Sequence, residues 1–151
     1  MNKTLLHAAA GAVALLLVAT FWTSTVVAEL LLDRVAIAQV KQAIACYGLP
    51  ALVLALVLTG ASGFSLGRHR QGRLVEQKRR RMPVLAINGL VVMVPAALFL
   101  HQRASAELFD PLFYAVQGLE LLVGLVQLTM LSRNFKAGLS LAGRRPQHHQ
   151  P

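Results

Sequence analysis

The chain has 151 residues and a net charge of +9; 56% of its residues are hydrophobic and only 14% are charged. This composition excludes an ordinary water-soluble domain, which needs more polar residues to cover its surface. It predicts instead one all-α domain embedded in a lipid bilayer. The positive charge would suit a nucleic-acid partner, but the bases gather between apolar segments, as in cytoplasmic loops, so no nucleic acid is expected.

The first apolar segment runs from about residue 4 to residue 28 and is long enough to cross a bilayer of about 30 Å. Lys3 before it and the small residues Val26–Ala28 near its end also resemble a cleavable secretory signal. We favour a retained span because the apolar run is longer than that of such signals.

A short mixed segment, Glu29–Lys41, follows the first span and combines four charged residues with several apolar ones. It has too many apolar residues for a free loop. Two interpretations stay open: an interfacial helix lying on the membrane, or an extension of the helices on either side.

The second span covers residues 44–66 and has Pro50 in its first turns, where a missing backbone N–H is tolerated. Small residues recur along this span at every fourth position and therefore share one helix face. Because such strips let helix backbones approach closely in lipid, we predict a packing face formed by Ala51, Ala55, Thr59, Gly63 and Gly67.

Next comes the most basic part of the chain, Arg68–Arg81, which contains a single acid, Glu76. A basic loop beside a membrane is the usual signal for topology. Such a loop also attracts anionic lipid head groups, at about 1 kcal/mol per base, or an acidic partner protein. The predicted contact residues are Arg68, Arg70, Arg73, Lys78, Arg79, Arg80 and Arg81.

Two further spans follow, at residues 83–100 and 111–131. The third contains Pro95, which removes a backbone hydrogen bond and is expected to kink the helix. Residues 1–135 therefore form one predicted domain of four transmembrane helices, and residues 136–151 form a basic, partly disordered tail.

The distribution of Lys and Arg predicts the orientation of this bundle. With both termini in the cytoplasm, twelve of these bases lie inside and three lie outside. This asymmetry follows the positive-inside rule. We therefore expect an up-down-up-down bundle of four helices whose N- and C-termini are both cytoplasmic.

The fourth span contains the one acid found within a predicted span, Glu120. Gln117, Glu120 and Gln127 lie with Gly124 on one helix face, because their spacing is i, i+3, i+7 and i+10. A carboxylate at this depth costs about 2.5–3.5 kcal/mol on insertion scales. It is therefore expected to face the interior, either as helix glue or as a proton- or cation-handling group.

Depth suggests partners for this polar stripe. At about 1.5 Å per residue, Thr20 lies near the level of Glu120, and Asn88 lies near the level of Gln127. We therefore predict an intramembrane polar site made of these four residues and Gln117, with an Asn88–Gln127 hydrogen bond between helices.

Histidine and cysteine patterns give no clear cofactor site. His7 and His101 fall at opposite ends of their spans, so they cannot share a haem iron. The sequence has no zinc-type spacing and no motif of a soluble-type enzyme site. We predict no catalytic residue, metal or cofactor, and leave open a haem with a partner-supplied ligand or a bound quinone.

The stretches FWTSTVVAEL (Phe21–Leu30) and KRRRMPVLAINGL (Lys78–Leu90) resemble small four-span inner-membrane proteins of Gram-negative bacteria that have no assigned function. This resemblance implies a bacterial inner membrane. It transfers no activity and no site residues.

Three functions follow as hypotheses. The first is a non-enzymatic accessory or assembly subunit that binds another membrane protein, whereas a homo-oligomer would favour the second hypothesis. The second is a small transporter or proton- or ion-coupled component that uses Glu120. The third is a redox membrane subunit that binds haem or quinone.

Overall fold

A computed structural model describes residues 3–67 and 88–143 of the chain. Within these residues every regular element is helical, so the predicted all-α class is confirmed at that level. The elements are α1 (Lys3–Leu31), α2 (Arg34–Ala43), a first π-helical segment (Ile44–Gly48), α3 (Leu49–Gly67), a second π-helical segment (Asn88–Met93), α4 (Val94–Ser105) and α5 (Pro111–Gly143).

Three helical stretches in the described residues are long and apolar enough to cross a membrane: Thr4–Leu31, Arg34–Ser65 and Pro111–Gly138. The predicted third span is described only from Asn88 onwards, and its first residues, 83–87, lie outside the described ranges.

The segment after the first span extends the second helix. Asp33 starts α2 as its N-cap, and the backbone N–H of Ala36 donates to the Asp33 carboxylate at 2.9 Å. From Arg34 the chain stays helical through the first π segment into α3. The extension interpretation of Glu29–Lys41 therefore describes α2 better than a separate interfacial helix does.

The last helix is longer than its predicted span. It continues past Leu131 to Gly143, so residues 136–143, which we expected in the tail, are helical. The rest of the expected tail, 144–151, lies outside the described residues.

Each π segment ends two residues before a proline, Pro50 or Pro95. A proline lacks the N–H of an ordinary helix and collides with the carbonyl four residues earlier. One widened turn before the proline relieves this conflict. The first π segment also places Gly48 against the ring of Phe21 in α1: a Cβ on Gly48 would lie 2.5 Å from the ring carbon Cζ.

Packing is organised around α1. Antiparallel contacts join α1 to α3, since His7 lies near Ser62 while Phe21 meets Gly48. On its other side α1 packs against α5, where the Trp22 indole N–H donates to the Leu121 carbonyl at 2.9 Å. Helix α4 packs against α2 and α5.

At the end of the bundle where α2 begins, a small apolar core closes the structure. Its members come from α1, α2, α4 and α5, so four helices meet there: Ala28, Ile37, Leu100, Ala104 and Phe113. We call this the α2 end. Its packing fixes the height of α2 relative to α5, which in turn positions the charged cluster described next.

Candidate functional site

A buried ion pair joins α2 to α5. The Lys41 ammonium lies 2.6 Å from the Glu120 carboxylate oxygen Oε2, and the two side chains are only 2% and 10% exposed. An ammonium and a carboxylate buried together must satisfy each other, because each alone would be costly inside a helix bundle. The acid found in the fourth predicted span therefore already has a counter-charge within the chain.

Two polar neighbours surround this pair. The Gln117 side-chain amide donates to the same Glu120 oxygen at 3.3 Å. The Thr25 hydroxyl, on α1, is 3.5 Å from the Lys41 ammonium. Three helices thus converge on one charged group, which makes the pair a structural junction of α1, α2 and α5.

A further carboxylate lies on α1. Glu29, near the end of that helix, is half-buried. Its oxygen Oε1 is buried and accepts no hydrogen bond. We refer to the buried Lys41–Glu120 pair, with Gln117 and Thr25 beside it, as the charged cluster.

Lys41 was missed by the prediction because it was counted among the bases of an outer loop. The spacing of the apolar residues around Lys41 in its own helix would have identified it. Ile37, Lys41, Ile44 and Gly48 follow one another by four, three and four residues, and all four are buried. Treating residues 34–48 as one helix would have put Lys41 on an otherwise apolar, inward face.

The polar stripe of α5 faces the interior throughout: Gln117, Glu120, Gly124 and Gln127 are buried. The Asn88 amide donates to the Gln127 side-chain oxygen at 2.7 Å, the hydrogen bond expected from their depth. Thr20 differs from the prediction. It is exposed, and Thr25, more than one turn further along α1, takes the place beside the cluster.

The strip of small residues on α3 packs mainly within the chain. Ala55 is buried, and a Cβ on Gly11 of α1 would lie 3.8 Å from the Thr59 side chain. Gly63 is half-buried and Ala51, at the start of the strip, is exposed. Gly67 is the last residue of α3, and its exposure lies outside what the structure describes. The strip is thus occupied by α1 over its middle part.

The seven predicted basic contact residues all fall within 68–87, outside the described ranges. They are Arg68, Arg70, Arg73, Lys78, Arg79, Arg80 and Arg81.

Beside the ion pair lies a cavity of about 50 Å³, lined by α1, both π segments, α3, α4 and α5. Its walls are apolar, with Glu120 towards one end and Gln127 two turns further along α5. A water needs about 10–15 Å³ of such volume, so the cavity has room for a few waters. Small-molecule sites usually measure about 300–1,000 Å³, so this cavity does not match a pocket for an organic substrate.

His7 and His101, the two histidines in the described residues, lie far apart, as the sequence indicated. The His7 ring is 3.0 Å from the Thr59 carbonyl and 3.1 Å from the Ser62 hydroxyl, well away from the α2 end. The His101 ring lies near Ser105 on α4, close to that end. In the described part of the chain no three His, Cys, Asp or Glu side chains are grouped as a metal site would require.

A second ion pair, at the surface of the α2 end, contrasts with the buried one. Asp110 caps α5 by accepting the Phe113 backbone N–H at 2.9 Å, and it pairs with Arg103 at 2.5 Å. The Phe113 hydrogen bond and the Arg103 charge hold the pKa of Asp110 below its ordinary value. The Asp110 carboxylate therefore fixes the residue at which α5 begins and ties that start to α4.

Chemically, the charged cluster can hold helices together. Comparisons with protein-family models, with curated proteins and with solved structures find no match to this chain. The arguments for function therefore come from the geometry alone.

Proposed function

We propose that the chain is a multi-pass protein of the bacterial inner membrane that serves as a non-enzymatic accessory or assembly subunit of another membrane protein. The observation that supports it most directly is the closed Lys41–Glu120 pair. A free intramembrane acid would have pointed to a transport path. An acid paired within its own chain, at a junction of three helices, points to a stable scaffold.

The remaining interior polar groups support the same role. His7, Trp22 and Asn88 each bond to a residue of a different helix. Polar groups used in this way strengthen helix association in lipid. Since these three groups are engaged within the chain, we place the surface that acts on a partner elsewhere on the molecule.

For that surface we propose the basic stretch Arg68–Arg81. The small-residue strip is the weaker candidate because α1 occupies its middle part. Seven bases and one acid suit an acidic segment of a partner subunit. Anionic lipid head groups suit them equally in charge, and a partner protein and lipid are separated by the experiment below.

The membrane topology that this proposal requires has four spans with both termini in the cytoplasm. Cysteine labelling in intact cells tests it, in a variant whose only native cysteine is replaced by Cys46→Ser. Single cysteines at Ser105 and Ser140 are exposed reporters for the α2 end and for the end of α5. A membrane-impermeant maleimide should label the first at once and the second only after permeabilisation. Labelling of both in intact cells would overturn the topology.

The accessory role is tested by purifying the tagged chain from native membranes in a gentle detergent. We expect a stoichiometric membrane-protein partner, identified by mass spectrometry. Replacing the seven bases of Arg68–Arg81 with Gln should release it. A matched control, Arg133→Gln with Lys136→Gln, removes two exposed bases of α5 and should retain the partner.

Each of the other outcomes would change the proposed contact or the proposed function. Retention of the partner by the seven-fold variant would reject the basic stretch as the contact. Loss of bound anionic lipid without any protein partner would make the stretch a lipid site. A homo-oligomer alone would reject the accessory role, and a Soret band or a bound quinone in the preparation would favour the redox hypothesis.

A proton- or ion-coupled component is the second candidate, favoured by the cavity that reaches Glu120. Reconstituted vesicles with a trapped pH dye test it under an imposed membrane potential. Proton flux above that of protein-free vesicles, and lost on closing the cavity with Ala97→Leu, would support this candidate. Flux equal to that of empty vesicles would argue against it.

A further inference from the structure

Both π segments border the cavity beside the charged cluster. Ile44 of the first segment lines its wall, and so do Gly89, Leu90 and Met93 of the second. The prolines that follow account for a π turn in each helix, but not for the position of both turns on one cavity. Such turns are rare and are frequently found at functional sites. Their convergence on one cavity indicates a binding site there.

The cavity opens sideways, between α3 and the second π segment. Val53 on α3 and Leu90 on the π segment both line it, yet they are 36% and 55% exposed. Their helices are joined mainly to other partners, because α3 packs against α1 and the π segment packs against α4 and α5. Leu90 lies about 15 Å along the helix from Leu100, near the middle of a bilayer of about 30 Å. In the four-span arrangement proposed above, the opening therefore faces the hydrocarbon of the bilayer.

The cavity wall is apolar between two polar groups that are already engaged. Glu120 lies towards one end and is paired with Lys41 at 2.6 Å. Gln127, about 10 Å further along α5, accepts the hydrogen bond from Asn88 at 2.7 Å. Two more polar side chains reach the wall, and each contacts another group of the chain: Trp22 and Thr25. A bound water needs two to four polar partners, whereas an apolar cavity stays dry and takes up apolar guests. The chemistry of the wall therefore selects a hydrocarbon.

The size of the cavity limits which hydrocarbon can enter. Its volume of about 50 Å³ is roughly a third of the volume of an apolar cavity that takes up benzene, about 150 Å³. The enclosed part therefore has no room for a ring or for a polar head group. It has room for the end of one flexible chain, and the rest of that chain would lie in the side opening.

We propose that the cavity binds one acyl chain of a bilayer phospholipid, which enters between α3 and the second π segment and ends beside Trp22. The bound chain excludes water from the Glu120 side of the cavity. An ion pair shielded from water is held more strongly, because the local dielectric constant is lower. Occupation also closes the approach to Glu120 on which the proton-coupled candidate depends. The site uses no residue of the basic stretch, so it goes beyond the accessory role and can be tested independently of it.

Trp22 provides the direct test, because it is the only tryptophan of the chain and lines the cavity. Bromine atoms on an acyl chain quench indole fluorescence when they come into contact with the ring. The full chain in detergent micelles is titrated with phosphatidylcholine that carries brominated acyl chains. We expect quenching that saturates at one lipid per chain and is reversed by excess unbrominated lipid. Quenching that grows in proportion to the lipid fraction without saturating would overturn the proposal, since it would report only lipid around the outside of the bundle.

A pair of matched variants locates the bound chain. Ala97 is buried and lines the cavity, so Ala97→Leu fills it and should abolish most of the saturable quenching. Ala61→Leu makes the same change at an exposed position of α3 and should leave the quenching as it is in the unmodified chain. Equal quenching in both variants would reject the cavity as the site. Unquenched Trp22 fluorescence at the long wavelengths of a hydrated indole would also overturn the proposal, because the cavity would then hold water. If Ala97→Leu does not fold, the titration of the unmodified chain still decides between a saturable site and surrounding lipid.

Discussion

The Lys41–Glu120 pair offers the sharpest test of the structure. Glu120→Gln removes the carboxylate that lies 2.6 Å from the ammonium, and leaves Lys41 buried with the Thr25 hydroxyl 3.5 Å away. Breaking a buried pair from one side costs about 3–5 kcal/mol. That is a large part of the stability of a typical domain, about 5–15 kcal/mol.

Removing the other partner of the pair, Lys41, should cost less unfolding free energy. In Lys41→Met the Glu120 carboxylate keeps its hydrogen bond from Gln117 and can take up a proton. We expect a loss of about 3 kcal/mol, at the lower end of the range for one-sided removal. The double variant lacks both charges and should be more stable than Glu120→Gln alone, because a buried pair replaced as a unit often costs little.

Unfolding free energies in mixed micelles, followed by far-ultraviolet circular dichroism, complete this double-mutant cycle. Arg103→Met is the control, since it breaks a more exposed pair at the same end and should have a much smaller effect. If Glu120→Gln does not fold, recovery of folded protein in the double variant still reports the coupling. Additive losses, or an unchanged stability of Glu120→Gln, would refute the buried pair.

Three further predictions concern the framework around the cluster. Gly48→Ala should destabilise the bundle by about 1–3 kcal/mol through overpacking, whereas Gly60→Ala, where a Cβ meets nothing within 4 Å, should be neutral or stabilising in the same unfolding assay. Asn88→Ala should cost about 0.6 kcal/mol, the average for a hydrogen bond between helices in lipid; a cost above about 2 kcal/mol would contradict this account. The Phe113 hydrogen bond and then the Arg103 charge lower the pKa of Asp110 in the folded chain. The ionised Asp110 therefore stabilises the fold fully above the ordinary pKa of an aspartate. This stabilisation is lost as the pH falls through the lower, folded-state pKa. Unfolding temperatures measured down an acid series should therefore fall less steeply in Asp110→Asn.

The sequence by itself determined the class of the fold and the inward face of α5. Hydropathy and spacing are local properties of a helix, so the buried positions Gln117, Glu120 and Gln127 could be predicted from one segment alone. The Asn88–Gln127 hydrogen bond could also be expected, because the depth of both residues can be counted from the ends of their predicted spans.

Only the tertiary structure decided which charge meets Glu120. Continuous helix from Arg34 through α3 brought Lys41 inside, whereas a boundary drawn at residue 44 left it in a loop. The choice between Thr20 and Thr25 depended on the rotation and relative height of α1, which follow from how α1, α2 and α5 pack together. Periodicity shows which face of a helix is buried; which groups meet there depends on contacts between segments distant in the sequence.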